Sequence, residues 1–223
     1  MAAPSASKTY TITHAWQSGR DLRIRCGDEP VYWIVFHTMR IGNICTLSIH
    51  ERAMYGSVLC AGVLDRLEGF SYKTAGQRGP THHLLKRGGL SIWEQEYRFK
   101  PAKGAMLAWK QAKPGQAIPQ ASDSEQGYNS NAPAMGQRDW ILVAVNEHYD
   151  ADGNRNEAPD KVLAAYSAPR GISQHARIYF VEELGTQMEV GALAVILGIV
   201  RWNCTKPGKL LTSAFGSAPA FLA

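Results

Sequence analysis

Along most of the chain apolar and polar residues change places every one or two positions, and clusters of Gly, Pro, Asn or Asp cut the pattern into short runs. In Asp21-Leu22-Arg23-Ile24-Arg25-Cys26 the alternation has a period of two, which predicts a strand with one buried and one wet face. Tyr97-Arg98-Phe99-Lys100 repeats it, so Arg98 and Lys100 are expected to face solvent together. Runs rich in β-branched and aromatic residues predict twelve strands: 9–13, 22–26, 31–37, 45–50, 57–65, 70–73, 82–86, 96–100, 105–111, 140–149, 161–167 and 177–182. So many short, closely spaced strands suit a sandwich or a barrel.

Residues 188–202, MEVGALAVILGIVRW, break the pattern, because every position from Val190 to Val200 is apolar or glycine. Such a run falls short of the roughly 20 residues that cross a bilayer and has the length of a buried core helix. A helix apolar on all sides must be surrounded by protein. Thr186-Gln187-Met188-Glu189 matches a capping box before the run, and Arg201 lies at the end where a cation suits the helix dipole. Val195, Ile196, Ile199 and Val200 would also suit a strand, but the capping pattern favours a helix over about residues 187–203. An apolar helix closing an all-β chain requires a sheet curved around it.

This order of elements resembles the tubby C-terminal-like superfamily, which also contains the phospholipid scramblases and the LURP-one-related proteins. Asp28-Glu29-Pro30-Val31-Tyr32-Trp33 looks like the family's early hairpin. Tyr97-Arg98-Phe99 with Leu107-Ala108-Trp109-Lys110 looks like its later aromatic strand pair. Residues 140–145 and Val162-Leu163-Ala164-Ala165-Tyr166 look like the hairpin before its last strand. The resemblance runs over about residues 8–204 and is greatest to the small fungal members. It implies a mainly β fold, a twelve-stranded closed antiparallel β-barrel around a central hydrophobic C-terminal helix. It also implies a non-catalytic domain that holds phosphoinositide or other anionic lipid headgroups through Lys and Arg. The family's Lys-x-Arg signature is replaced here by Arg23-Ile24-Arg25.

The 223 residues are 45% hydrophobic and 19% charged, a globular composition that excludes a wholly disordered or fibrous chain. Residues 1–7 and 205–223 are rich in small residues, Pro and Ser, and are expected to be disordered. So is the proline-containing stretch 112–137, read as an insertion in one domain spanning 8–204. Four cysteines without CxxC spacing suit reduced, buried thiols. With no secretory signal, lipidation box or membrane span in the pattern, a cytoplasmic protein is expected, peripheral at membranes if a basic surface binds them.

The net charge of +5 is unevenly spread. Between Arg66 and Lys110 nine basic residues face three acidic ones, whereas between Asp139 and Asp160 six acidic residues face one basic one. A cationic surface beside an anionic leaflet gains about 1 kcal/mol per Lys or Arg. The headgroup candidates are Arg23, Arg25, Lys86, Arg87, Arg98, Lys100, Lys103 and Lys110. A protein-interaction or scaffold domain with no lipid ligand is the alternative, with 112–137 and the acidic hairpin as contact surface. Nucleic acid is disfavoured, since alternation would bury the rings among the basic residues instead of offering them for stacking.

No cofactor is expected. Asp150, Asp152 and Asn154 space oxygen ligands like the start of a calcium loop, but Arg155 and Lys161 stand where Gly and Glu are needed, and a hairpin turn explains the segment better. His82 and His83 would point to opposite faces of a strand and cannot share an ion. His50 and Cys60 lie on neighbouring predicted strands, where a Cys–His pair is conceivable, but no third residue is placed to orient the imidazole.

Overall fold

The computed structural model describes residues 6–14, 21–38, 45–65, 69–76, 82–83, 85–88, 95–101, 106–113, 139–145, 148–149, 155–156, 161–168 and 175–204. The three segments expected to be disordered lie almost wholly outside these residues. Ser7, the last residue of the first of them, donates its backbone N–H to the Phe180 carbonyl at 2.8 Å.

The strands are β1 (Lys8–His14), β2 (Leu22–Cys26), β3 (Glu29–Thr38), β4 (Cys45–Glu51), β5 (Val58–Asp65), β6 (Gly69–Thr74), β7 (His82–His83), β8 (Leu85–Gly88), β9 (Gln95–Phe99), β10 (Leu107–Gln111), β11 (Trp140–Ala144), β12 (His148–Tyr149), β13 (Arg155–Asn156), β14 (Lys161–Ser167) and β15 (Ala176–Phe180). One helix follows, α1 (Thr186–Cys204). Thirteen strands form one antiparallel sheet in the order β7-β6-β5-β4-β3-β2-β1-β15-β14-β11-β10-β9-β8. Nearly every ladder joins sequence neighbours. There are two exceptions: β11 pairs with β14 across the β12–β13 hairpin, and β1 on β15, from Lys8↔Phe180 to Ile12↔Ala176, joins the first strand to the last.

A twelve-stranded closed barrel is therefore not what forms. The sheet has thirteen strands and is open, with β7 and β8 as its edges and no ladder between them among the described residues. The physical reason lies in the run 82–86, read from sequence as one strand. His82 and His83 pair with Tyr72 and Ser71 of β6, whereas Leu85–Gly88 pair with β9. The strand changes partner midway, so one edge ends where the other begins. His83 and Leu85 can be at most about 7 Å apart along the backbone. Inside the sheet, the Tyr72 and Phe99 rings meet edge to face across this seam, with centroids 6.2 Å apart.

The run 140–149 also divides. β12 leaves the main sheet to pair with β13, Tyr149↔Arg155, forming the hairpin expected around the Asp/Gly/Asn turn.

α1 lies in the concavity, and each residue from Glu189 to Val200 is buried. It begins one residue earlier than predicted, and the capping box is not used. The Gly185 carbonyl accepts from the N–H groups of Glu189 at 3.0 Å and Met188 at 3.1 Å, so Gly185, at φ 77°, is the cap residue. The helix runs closest to β5 and β6. Gly191 and Gly198, about two turns apart, face them: a Cβ would sit 3.4 Å from the Tyr72 ring at Gly191 and 3.0 Å from the Phe70 ring at Gly198. On β5, a Cβ at Gly62 would sit 2.7 Å from that same Phe70 ring. Phe70 thus occupies the volume of two absent side chains. Elsewhere the gap is filled by large residues such as Trp109, which is fully buried and donates its indole N–H to the Ala192 carbonyl at 3.1 Å.

A second apolar group lies on the face turned away from the helix. Ala108, Ile141, Val143, Val145, Ala165 and Tyr179 are buried there, so β10, β11, β14 and β15 are covered on both faces.

Candidate functional site

At the N-terminal end of α1 a cleft of about 370 Å³ opens between β6 and β9, the strands flanking the two sheet edges. Tyr72, Phe99, Pro101, Leu184 and Met188 form its apolar walls, while Thr74, Thr186 and Gln187 add hydroxyl and amide groups. Topology explains the position: among the described residues only the short edge strands separate β6 from β9, and Gly185 and Gly191 place no side chain in the space. Burial pushes the Tyr72 phenol well above the ordinary tyrosine range, with the Cys60 thiolate as a smaller cause, so Tyr72 is a neutral polar group. Among the described residues, the lining carries no carboxylate, imidazole or thiol.

Next to the cleft, the first turn of α1 buries a carboxylate. Glu189 accepts from Lys8 Nζ at 3.0 and 3.3 Å and from the Tyr10 hydroxyl at 2.9 Å. Tyr10 packs edge-on against Tyr32 and Phe180. Burial first, then the charges of Tyr32 and Glu189, holds the Tyr10 phenol protonated far above its usual range. The cluster ties β1 to the helix. A lone acid before an apolar run was its signal in the sequence, which the capping-box reading absorbed.

Among the described residues, several of the headgroup candidates are engaged by neighbours in the sheet. Arg98 is 4% exposed and pairs with Glu96. Lys110, opposite Glu96 in the ladder, brings its Nζ to 3.9 Å from the same carboxylate. Two cations expected on a free surface thus converge on one anion, beside the apolar group on the sheet's outer face. Arg25 donates Nη2 to the Asp28 carbonyl at 2.6 Å, and Arg23 stacks 4.5 Å from the Trp33 ring centroid. Lys100 is exposed just past β9. Lys86 and Arg87 lie on β8 with side chains outside the described residues, as does the whole of Lys103. Because the sheet is open, the expectation of a closed tubby-like lipid-binding barrel is set aside.

Asp150, Asp152 and Asn154 lie outside the described residues. Among the described residues no group of three or more His, Cys, Asp or Glu could hold a metal, and no helix is long and apolar enough to cross a membrane. Cys60 and His50 do not pair. Cys60 points into the core, its thiol pushed up to about 12 by burial, and is opposite Ile49 in the ladder, not His50. His50 lies on the outer face with Ser48, its Nε2 2.9 Å from Ser48 Oγ.

The buried phenols and Cys60 predict an alkaline limit to stability. Raised groups keep their protons in the folded core while the unfolded chain releases them above the ordinary thiol and phenol values of 9.0 and 10.0. The unfolded state then binds fewer protons, so stability falls as pH rises through that range. Urea midpoints should be flat below it and drop steadily above it, and Tyr72→Phe should lessen the drop.

Comparison with protein-family models, curated proteins and solved structures finds no match to this chain.

Proposed function

We propose that this protein is a non-catalytic binding domain for a small, mostly apolar ligand with one polar end, taken up in the cleft at the N-terminal end of α1. The observation that carries this reading is the cleft itself: aromatic and aliphatic walls, a few hydroxyl and amide groups, and a volume of about 370 Å³. Small-molecule sites typically enclose roughly 300–1,000 Å³, with mostly apolar walls and a few polar groups that set orientation. Cys26, Cys45 and Cys60 are free thiols, which supports a reducing compartment such as the cytoplasm.

Titration with anilinonaphthalene sulfonate tests the reading. The native protein should show a saturable, single-site rise in fluorescence. Gln187 is exposed at the mouth, so Gln187→Trp narrows the entrance without touching the core. Gly191→Leu places a side chain in the cleft against Tyr72. Each should weaken binding about tenfold or more, equivalent to about 1.4 kcal/mol. Unsaturable fluorescence, or equal affinity in both variants, would sink the proposal.

A further inference from the structure

The geometry points to Ser48 as a nucleophilic hydroxyl on the outer face of β4, a site of covalent acylation by an activated ester. The base is the histidine two residues along the strand. His50 Nδ1 lies 3.1 Å from the Gly56 carbonyl oxygen, and His50 Nε2 lies 2.9 Å from Ser48 Oγ. A carbonyl can only accept, so Nδ1 carries the ring proton, and in the neutral imidazole Nε2 is then an acceptor. The Ser48 hydroxyl therefore donates to Nε2. Hydroxyl, base and orienting acceptor stand in the relation that activates a serine, with a backbone carbonyl in the orienting place.

The turn that supplies this carbonyl is closely specified. The Gly56 N–H donates to the Ala53 carbonyl at 2.9 Å, and the Glu51 N–H to the Ser57 carbonyl at 2.9 Å. A Cβ on Gly56 would lie 1.9 Å from the Glu51 carbonyl oxygen, so no other residue fits without moving the turn. Arg52, in the same turn, holds a left-handed φ of 57°. Backbone strain of this kind is often kept where it positions a functional group.

The surroundings select the acyl donor. Ser48 is half-buried, and its ladder neighbours are Val35 on β3 and Ala61 on β5. Ala61 is small and exposed, and Val58 and Val63 on that strand are 48% and 41% exposed. An apolar acyl chain finds apolar surface beside the hydroxyl.

In the step, Ser48 Oγ attacks the ester carbonyl carbon while its proton passes to His50 Nε2. The bond from that carbon to the leaving oxygen breaks with its electron pair, and the leaving oxygen takes the proton from Nε2. The products are an ester on Ser48 and a free alcohol or phenol, with no change in oxidation state. This site is separate from the cleft at the helix N-terminus and does not depend on it.

The test uses the full chain, p-nitrophenyl acetate as the probe, and peptide mapping by mass spectrometry. One acetyl group should appear on Ser48 and be absent in Ser48→Ala. A positioned base typically contributes about 100-fold or more, so His50→Gln should slow Ser48 acetylation by about that factor. Gly56→Ala, which moves the carbonyl but leaves both side chains, should also slow it. Acetylation of lysines with Ser48 unmodified, or an unchanged rate on Ser48 in His50→Gln, would overturn the assignment. Circular dichroism of His50→Gln, whose substituted side chain lies on the outer face, confirms that any loss is not unfolding.

Discussion

Gly198→Val lowers the stability of this protein by about 3 kcal/mol or more, the upper part of the range for overpacked cores, and unfolds it on modest heating. Gly198 faces Phe70, and even a methyl group there would meet three ring carbons at 3.0 to 3.1 Å. The ring has little room to move, because it is also packed against β5, where a Cβ at Gly62 would sit 2.7 Å from it. Relief must come from the helix or from β5, and both are held by the surrounding core. Gly198→Ala separates two opposing effects: better helix propensity, worth about 1 kcal/mol, against the contact with the ring. It should lie between wild type and valine. Urea midpoints measure the series. Phe70→Leu in the Gly198→Val background should recover part of the loss, with a coupling of about 1–3 kcal/mol, as expected for residues in contact. Additive losses would show that the glycine serves something other than room for the ring.

Glu189→Leu should cost about 2–4 kcal/mol. Removing one partner of a buried ion pair typically costs about 3–5 kcal/mol, since the other charge is left without compensation. Here the Lys8 side chain is 35% exposed and can partly rehydrate, which moves the expectation downward. The buried Tyr10 hydroxyl cannot rehydrate in the same way and would lose the acceptor it reaches at 2.9 Å, keeping only the Tyr32 hydroxyl as a neighbouring hydrogen-bond partner. Glu189→Gln keeps an acceptor for Tyr10 and should cost less. Adding Lys8→Met and Tyr10→Phe to Glu189→Leu should restore most of the stability, because an apolar cluster of similar volume replaces the polar one. Thermal and urea unfolding of the three variants measure this. A triple variant no more stable than Glu189→Leu alone would mean that the cluster does more than fasten β1 to the helix.

The two sites differ in how far the sequence reveals them. Glu189 stands out as the one acid next to an apolar run, although its partners, at residues 8 and 10, are about 180 positions away. The pair Ser48 and His50 is visible as two polar residues on one face of a predicted strand. What makes it a dyad is a carbonyl from a turn whose shape depends on the absence of a Cβ at Gly56, and no spacing rule encodes that. Arg98 shows the opposite error. Period-two alternation assigns it to a wet face, but that face of β9 adjoins a second apolar group, and Arg98 pairs with Glu96.

Local chemistry determined the elements. Alternation and turn residues marked most strands to within two positions, and the unbroken apolar run marked the helix, because both signals arise from neighbours in the chain. Tertiary structure alone decided the rest. Whether the sheet closes depends on which partner each half of the run 82–86 meets: His82 and His83 pair with β6, and the residues from Leu85 onward pair with β9. The division of that run set the seam, the seam set the cleft beside the helix N-terminus, and the bend of the sheet decided which of its faces stayed wet. Hydrogen-bonding partners far apart in sequence settle these outcomes, so the period of a single strand leaves them open.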